Sequence, residues 1–302
     1  MSKSTGSLAA HRSALDNETA VMVLLLLVDS LHYVFARLLL PYLPATTSSF
    51  YYMTIATLEI ALFAAVRQQI DWQIFRKNAK FFLTIGFLIA FATSASFAAV
   101  TYIDPGTASM IARINTLFAL GFGILWLKEK LVRGEKIGAG IAILGVFVIS
   151  FQRGEVGDQV WLGALLVLGS SFTYALHSAI VKRQGGHIDF TNFFLFRMIT
   201  SIFFLLLFAV GLNELVWPTG WQVWLILILA GTVNVVIGRG LFYLALRRLD
   251  LSILTILLTL SPVITVLWSL ILFGETPSLQ GMLGGTAVLA GVILVTTSRQ
   301  KK

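Results

Sequence analysis

The sequence predicts an all-α polytopic membrane protein, and three observations carry that prediction. Of its 302 residues, 57% are hydrophobic and 12% are charged, about half the charged share of an ordinary soluble protein. The apolar residues come in blocks close to the roughly 20 residues that a bilayer-spanning helix needs. The basic residues fall between these blocks and favour one side of a ten-helix arrangement.

The ten predicted helices follow one another with brief connections, so no soluble domain fits between them. They cover residues 20–40, 46–66, 81–100, 107–127, 137–151, 160–181, 191–211, 222–246, 252–273 and 281–297. The fifth block is short and would borrow Leu131 and Val132 to span a bilayer. Residues 1–19 and 298–302 are polar, and we interpret them as terminal tails. The first block is too long for a signal-peptide core.

Basic residues predict the orientation. Seventeen of the 22 lysines and arginines fall on one side of the ten-helix arrangement, and Arg153 alone falls on the other. Basic residues in short loops mark the cytoplasmic face. We therefore expect a multi-pass protein of the cell (inner) membrane with both termini in the cytoplasm. The bilayer, rather than nucleic acid, accounts for the net charge of +8.

An internal repeat divides the chain. Residues 102–150 align without a gap on residues 248–296, with Asp104 on Asp250 and Gly145 on Gly291. The repeat predicts two five-helix halves, residues 20–152 and 153–297. An odd helix number gives the halves opposite orientations in the membrane. Inverted repeats of this kind build secondary transporters with a solute site near the midplane.

The motifs along the chain resemble a known family. "LGFGILWLKEKL" and "SPVITVLWSLILFGET" are similar to the two helix ends of the drug/metabolite transporter superfamily, EamA type, and "IGAGIAILGVFVIS" and "GMLGGTAVLAGVILVTT" to the glycine-spaced helices that follow. The resemblance covers residues 20–297. It implies ten helices, inverted five-helix repeats and a central cavity. Within the superfamily the chain looks most like YddG-type exporters of aromatic and other neutral amino acids.

Two features depart from the family pattern. Helix 9 has a mid-helix proline, Pro262, but its counterpart in helix 4 is Thr116, preceded by Asn115. Helix 2 has Glu59 in place of a common intramembrane arginine, whereas helix 7 keeps Arg197. Substrate contacts of some family members therefore need not transfer to this chain.

Ionisable residues inside the membrane cost about 2.5–3.5 kcal/mol each and by default indicate function. Their charge leans positive, with four arginines (Arg37, Arg113, Arg197 and Arg239) against Asp29 and Glu59. Guanidinium groups match carboxylates and phosphates geometrically. The charge balance favours an acidic group on the solute over a lipophilic cation.

We predict that one face of helix 1, with Asp29, His32, Tyr33 and Arg37, borders the cavity. In the predicted arrangement Arg239 or Arg113 holds a carboxylate, Asp29 and His32 hold an ammonium group, and Tyr33 and Tyr174 hold the side chain. Pro262 breaks helix 9 and frees the carbonyl of Leu258. The alternative for each small polar residue is interhelical packing, worth about 0.6 kcal/mol per contact. The full set of predicted substrate-binding residues is Asp29, His32, Tyr33, Ser94, Arg113, Asn115, Tyr174, His177, Asn234, Arg239, Tyr243 and Ser261.

These features predict a secondary transporter of small amino acids, aromatic and neutral, that works outward by alternating access and as a monomer. The alternatives are a proton-coupled drug or metabolite exporter, with Asp29 or Glu59 as the exchange site, and a phosphosugar or nucleotide-sugar exchanger. Paired basic residues in the cavity of the second half would favour the phosphosugar or nucleotide-sugar exchanger. We expect no enzyme activity, no cofactor, no metal and no nucleic-acid partner, since the sequence has no phosphate-binding glycine loop, no metal-ligand spacing and no cysteine.

Overall fold

The computed structural model describes residues 20–127, 132–150, 159–185, 188–248 and 258–300. Within these ranges the side chains of residues 127, 243, 246–248, 299 and 300 are not described. Both predicted tails, apart from Ser298 and the backbone of 299–300, and the start of the ninth predicted helix lie outside the described residues.

The described chain consists of helices. We number them α1 Ala20–Leu39, α2 Ala45–Val66, α3 Trp72–Lys77, α4 Ala79–Ala99, α5 Pro105–Ala112, α6 Asn115–Leu127, α7 Arg133–Ser150, α8 Val160–Gln184, α9 Phe190–Gly211, α10 Trp221–Leu229, α11 Gly238–Arg248, α12 Ser261–Phe273 and α13 Leu279–Gln300. Helices α10 and α11 are joined by a π-helical segment, Ala230–Ile237.

Within the described ranges, eight helical spans are long and apolar enough to cross a membrane. They confirm an all-helical membrane protein. Two of the ten predicted blocks correspond to helices outside this set, α7 and α12. The predicted extension of α7 by Val132 is not present, and Leu131 lies outside the described residues. Helix α7 begins at Arg133, where the Glu135 carboxylate accepts a hydrogen bond from the backbone N–H of Val132 (2.8 Å).

Local sequence sets the helix starts. Asp104 caps α5 by accepting from the backbone N–H of Thr107 (2.8 Å), and Pro105 follows as the first helical residue. Asp189 caps α9 in the same way, accepting from Asn192 (3.0 Å). Asp71 caps the six-residue α3, which no apolar block predicted.

Three helical spans are interrupted near the middle of the bundle. The span Pro105–Trp126 breaks at residues 113–114, between α5 and α6, and the described segment that begins at Leu258 is interrupted at residues 259–260, just before α12. Pro262, at the start of α12, explains the second break because it lacks an amide proton. The first break has no proline, yet it falls at the repeat-equivalent position, 146 residues earlier. The π-helical segment interrupts the span Trp221–Phe242.

Helices α7 and α13 pack antiparallel through glycines. Gly138 faces the backbone of Gly291, and Gly145 faces the backbone of Gly284. A Cβ atom built on Gly145 would lie 2.8 Å from the amide nitrogen of Val288, closer than real Cβ atoms approach. Small residues let helix backbones meet at this distance in a bilayer.

We expect Gly145→Val to lower the stability of the protein by about 1–3 kcal/mol, because the added carbons overpack a backbone contact. The measurement is the thermal unfolding midpoint of the purified protein in detergent. Gly140→Val is the matched control, since a Cβ on Gly140 of the same helix meets nothing within 4 Å. Equal midpoints for the two variants would contradict the close packing.

Candidate functional site: the central cavity

A cavity of about 480 Å³ lies in the middle of the helix bundle. Its volume is typical of small-molecule sites, which occupy about 300–1,000 Å³. Side chains from both halves of the chain line it, including α1, α2, α4, α8, α9 and the segment from Asn234 to Phe242. The breaks at 113–114 and 259–260 both border it, since Arg113 and Thr259 are lining residues. Broken helices at membrane depth are tolerated where the backbone faces a cavity.

One face of α1 borders the cavity. The lining residues Leu25, Val28, Asp29, His32 and Tyr33 follow the spacing of a single helical stripe. The polar stripe of the sequence continues to Arg37, but that residue lies outside the lining. Its guanidinium forms an ion pair with Glu275 and donates to the backbone carbonyl of Val100 (3.0 Å).

An ion pair links α1 to both helix breaks. Nη2 of Arg113 lies 2.9 Å from Oδ2 of Asp29 and donates to Oγ of Ser261 (2.6 Å). Oγ of Ser261 in turn donates to Oδ2 of Asp29 (2.7 Å). Asp29 is thereby bound to a guanidinium, and its side chain keeps 35% exposure to the cavity. Ser261 hydrogen-bonds to both members of this pair but does not itself line the cavity.

Two other arginines line the cavity without a carboxylate partner among the described residues. Arg197 is 8% exposed, and its Nε has no hydrogen-bond acceptor. Its guanidinium lies 4.7 Å from the ring centroid of Phe194. Arg239 is exposed to the cavity, and no described side chain pairs with it. Since Asp29 is the one described carboxylate in the lining, three arginines face a single negative charge.

Hydroxyl groups join α4 to α8 at the cavity wall. Thr93 Oγ1 lies 3.1 Å from the Tyr174 hydroxyl, and Ser96 Oγ lies 2.6 Å from Ser170 Oγ. Ile89, Thr93 and Ser96 form the cavity-facing stripe of α4. Ser94 was predicted to line the cavity and does not. One residue advances a helix by about 100°, so Ser94 turns away from the stripe that Thr93 and Ser96 occupy.

An aromatic cluster closes one side of the cavity. The Tyr52 and Phe97 rings stack with centroids 4.9 Å apart, and His32 meets Phe97 edge-on at 5.7 Å. Phe97 is buried behind these lining residues. Tyr52 and Tyr174 give the cavity aromatic surface as well as hydroxyl groups.

Most of the other predicted residues also reach the cavity. Asn115, His177 and Asn234 line it, and Oδ1 of Asn115 and Nε2 of His177 are buried without hydrogen-bond partners. The side chain of Tyr243 lies outside the described residues. Glu59 does not line the cavity, because its carboxylate accepts from Thr232 of the π-helical segment (2.6 Å).

Sequence reasoning omitted Arg197 and Tyr52 from the predicted site. Arg197 was recognised as an intramembrane charge, but its position near a helix end is equally compatible with a side chain that reaches the membrane surface. Tyr52 stands in "SSFYYM", where the sequence offers no signal to separate it from Tyr51.

We expect Asp29→Asn to destabilise the protein, because it leaves the Arg113 charge without its counter-ion. Breaking a fully buried pair costs about 3–5 kcal/mol, and the partial exposure of Asp29 reduces the expected loss to about 1–2 kcal/mol. Thermal unfolding in detergent measures it. The double variant Asp29→Asn/Arg113→Gln should recover at least part of the loss. Glu59→Gln is the control, since its partner is the neutral Thr232. An effect of Asp29→Asn no larger than that of Glu59→Gln would contradict the role of this ion pair.

The chain is similar in sequence to bacterial transporters. It is 24% identical to the uncharacterized transporter YdfC of Bacillus subtilis over 63% of this chain and 62% of that protein. It is 24% identical to the pseudopaline exporter CntI of Pseudomonas aeruginosa over 86% of this chain and 88% of that protein. It is 27% identical to a riboflavin transporter of Vibrio cholerae over 62% of this chain and 61% of that protein.

A solved crystal structure shares the fold, with a TM-score of 0.62 and 18% sequence identity over 94% of this chain and 99% of that one. The sequence profile of the EamA-like transporter family matches the chain twice, over residues 19–151 and 161–297. The two matches together cover nearly the whole chain, and the relatives above are named as transporters rather than enzymes. The chain therefore belongs to the EamA-like transporter family, and its apolar helical spans make it a multi-pass membrane protein.

Proposed function

We propose that the protein is a secondary transporter that moves a small solute carrying a carboxylate across the cytoplasmic membrane by alternating access. The observation that supports this most directly is the cavity charge, three arginines against one aspartate within the described lining. Arginine binds carboxylates through paired hydrogen bonds, and a lipophilic cation would meet repulsion here. The relatives support transport but not one solute, since one is named for pseudopaline and another for riboflavin.

We further propose ten membrane helices in two inverted five-helix halves, residues 20–152 and 153–297, with both termini cytoplasmic. Three observations support the repeat. The family profile matches once in each half. The two helix breaks are 146 residues apart. The glycine contacts between α7 and α13 are reciprocal, because the repeat converts the pair Gly138–Gly291 into the pair Gly284–Gly145.

Contacts between the halves at one end of the bundle support alternating access. Arg37 of α1 pairs with Glu275, which follows α12. Thr46 and Thr47 of α2 donate hydrogen bonds to Glu214, which follows α9. These residues all lie at the end of the bundle where α1 ends and α2 begins. Rocking of the halves has to break such contacts to open this end.

Small amino acids remain our proposed solute class. Arg239 has no carboxylate partner in the described part of the chain and can hold the carboxylate, and Asp29 keeps exposure to the cavity for an ammonium group. Tyr33, Tyr52 and Tyr174 supply aromatic surface. The proton-coupled exporter is a weaker candidate, since Glu59 is outside the cavity and Asp29 is bound to Arg113.

The test of the proposed function is counterflow in proteoliposomes with labelled phenylalanine, threonine and methionine. Arg239→Gln should reduce exchange by about 10- to 100-fold, because a hydrogen bond to a charged group contributes about 1.5–3 kcal/mol. Arg133→Gln, an exposed arginine at the start of α7, is the control and should leave exchange unchanged. Exchange of a lipophilic cationic dye without any amino-acid exchange would refute the proposal.

A second prediction concerns the ion pair at the end of the bundle. The chain has no cysteine, so Ser96→Cys provides a single label site in the cavity. We expect Glu275→Gln to increase its labelling from the extracytoplasmic side by up to about fivefold, since a partly exposed ion pair contributes about 0.2–1 kcal/mol. A membrane-impermeant maleimide applied to right-side-out vesicles measures the rate.

The control for this labelling is Asp71→Asn, which removes a carboxylate from the opposite end of the bundle, before α3. It should leave the rate unchanged. An equal rate with and without Glu275→Gln would show that the Arg37–Glu275 pair does not hold this end closed.

A further inference from the structure

A second group of charged and polar side chains lines the cavity and consists of Arg197, Arg239 and His177. A single carboxylate on the solute can pair with only one of its two arginines. Arg197 and His177 are each more than nine-tenths buried, and one nitrogen of each, Nε of Arg197 and Nε2 of His177, has no hydrogen-bond partner. Arg239 interacts electrostatically with both of them. We propose that this group is a second acid subsite, and that the solutes bound best carry two acidic groups, or a phosphate, rather than one carboxylate. The inference rests on the proposed transport function and names its substrate class.

The charges around Arg239 support two subsites in one cavity. Arg239 shares the lining with Arg197 and with the Asp29–Arg113 pair, and it interacts electrostatically with both Asp29 and Arg197. One acidic group of a solute fits at Arg239 and a second at Arg197.

No described carboxylate pairs with Arg197. The rings of Phe193 and Phe194 lie 5.9 and 4.7 Å from its guanidinium, and they attract a cation but accept no strong hydrogen bond. A buried charge without a counter-ion is costly, and Arg239 nearby adds repulsion. Two negative charges, one at each guanidinium group, compensate both arginines. A neutral amino acid brings one negative charge and leaves one of the two arginines uncompensated.

The chemistry required is two negative charges a short distance apart, which dicarboxylates and organic phosphates both provide. Tyr52 and Tyr174 lie close enough to Arg197 to interact with it, and each hydroxyl can donate to an acidic oxygen. These paired basic residues belong to the second half of the chain. Arg197 and Arg239 lie 42 positions apart in the sequence, and nothing in that spacing predicts that they share a site.

The experiment is competition against labelled phenylalanine counterflow in proteoliposomes, together with thermal shifts of the detergent-purified protein. The competitors are threonine, glutamate, succinate and glycerol 3-phosphate. We expect glutamate, and succinate or glycerol 3-phosphate, to compete at concentrations at least about tenfold lower than threonine and to raise the unfolding midpoint. Succinate and glycerol 3-phosphate separate a dicarboxylate preference from a phosphate preference, and either result supports the subsite.

Substitution of Arg197 provides the decisive comparison. Arg197→Gln should weaken competition by the acidic solutes at least about tenfold and change competition by threonine less than twofold. Arg197→Lys should restore part of the preference, because it returns the charge without the forked geometry. Arg133→Gln is the charge-matched control and should change neither. Unfolding midpoints show whether each variant is folded.

The outcomes separate this inference from the proposed function. Phenylalanine exchange that threonine inhibits and the acidic solutes do not would overturn the acid subsite and leave amino-acid transport standing. Equal weakening of threonine and glutamate by Arg197→Gln would also overturn it, since that result indicates a general structural role. Absence of both exchange and thermal shift with every solute would overturn the acid subsite and the proposed function together.

Discussion

The Asp29–Arg113–Ser261 cluster is the interaction on which the centre of the molecule depends. It joins the middle of α1 to the two places where helical hydrogen bonding is interrupted, at residues 113–114 and before Ser261. A guanidinium in the bilayer requires compensation, and Asp29 supplies it. Because the cluster uses one arginine and the one described carboxylate of the lining, the remaining arginines set the electrostatic character of the cavity.

Arginines of the cavity that have no carboxylate partner among the described residues therefore indicate where an acidic group of a solute binds. Arg37 is neutralised by Glu275 outside the cavity, and Arg113 by Asp29 inside it. Arg197 and Arg239 have no such partner among the described residues. Buried polar groups without partners are uncommon in folded proteins, and at a cavity wall they indicate where a ligand completes the set.

The helices could be predicted from the apolar runs because their length follows from the thickness of the bilayer, and α2, α8 and α9 match their blocks closely. The break at residues 113–114 could not be predicted, since no proline or glycine stands there. The cavity lining was predictable on α1, where five positions share one face, and less so elsewhere. The direction in which Thr93, Ser94 or Arg197 points depends on the rotation of its helix, which neighbouring helices determine. The chain departs from helical structure at residues 259–260, just before Pro262, and Ser94 is absent from the cavity lining.

The glycine contact between α7 and α13 has a mechanical consequence. Where helices interlock through large side chains, relative rotation requires many rotamers to change together. Gly138, Gly145, Gly284 and Gly291 place backbone directly against backbone, so no side chain obstructs a small rotation at these points. Equivalent residues of the two proposed halves meet at this reciprocal contact, so it lies on the symmetry axis that relates those halves. The α7–α13 pair is therefore a place where the proposed halves meet backbone to backbone and can shift slightly without a change of rotamers.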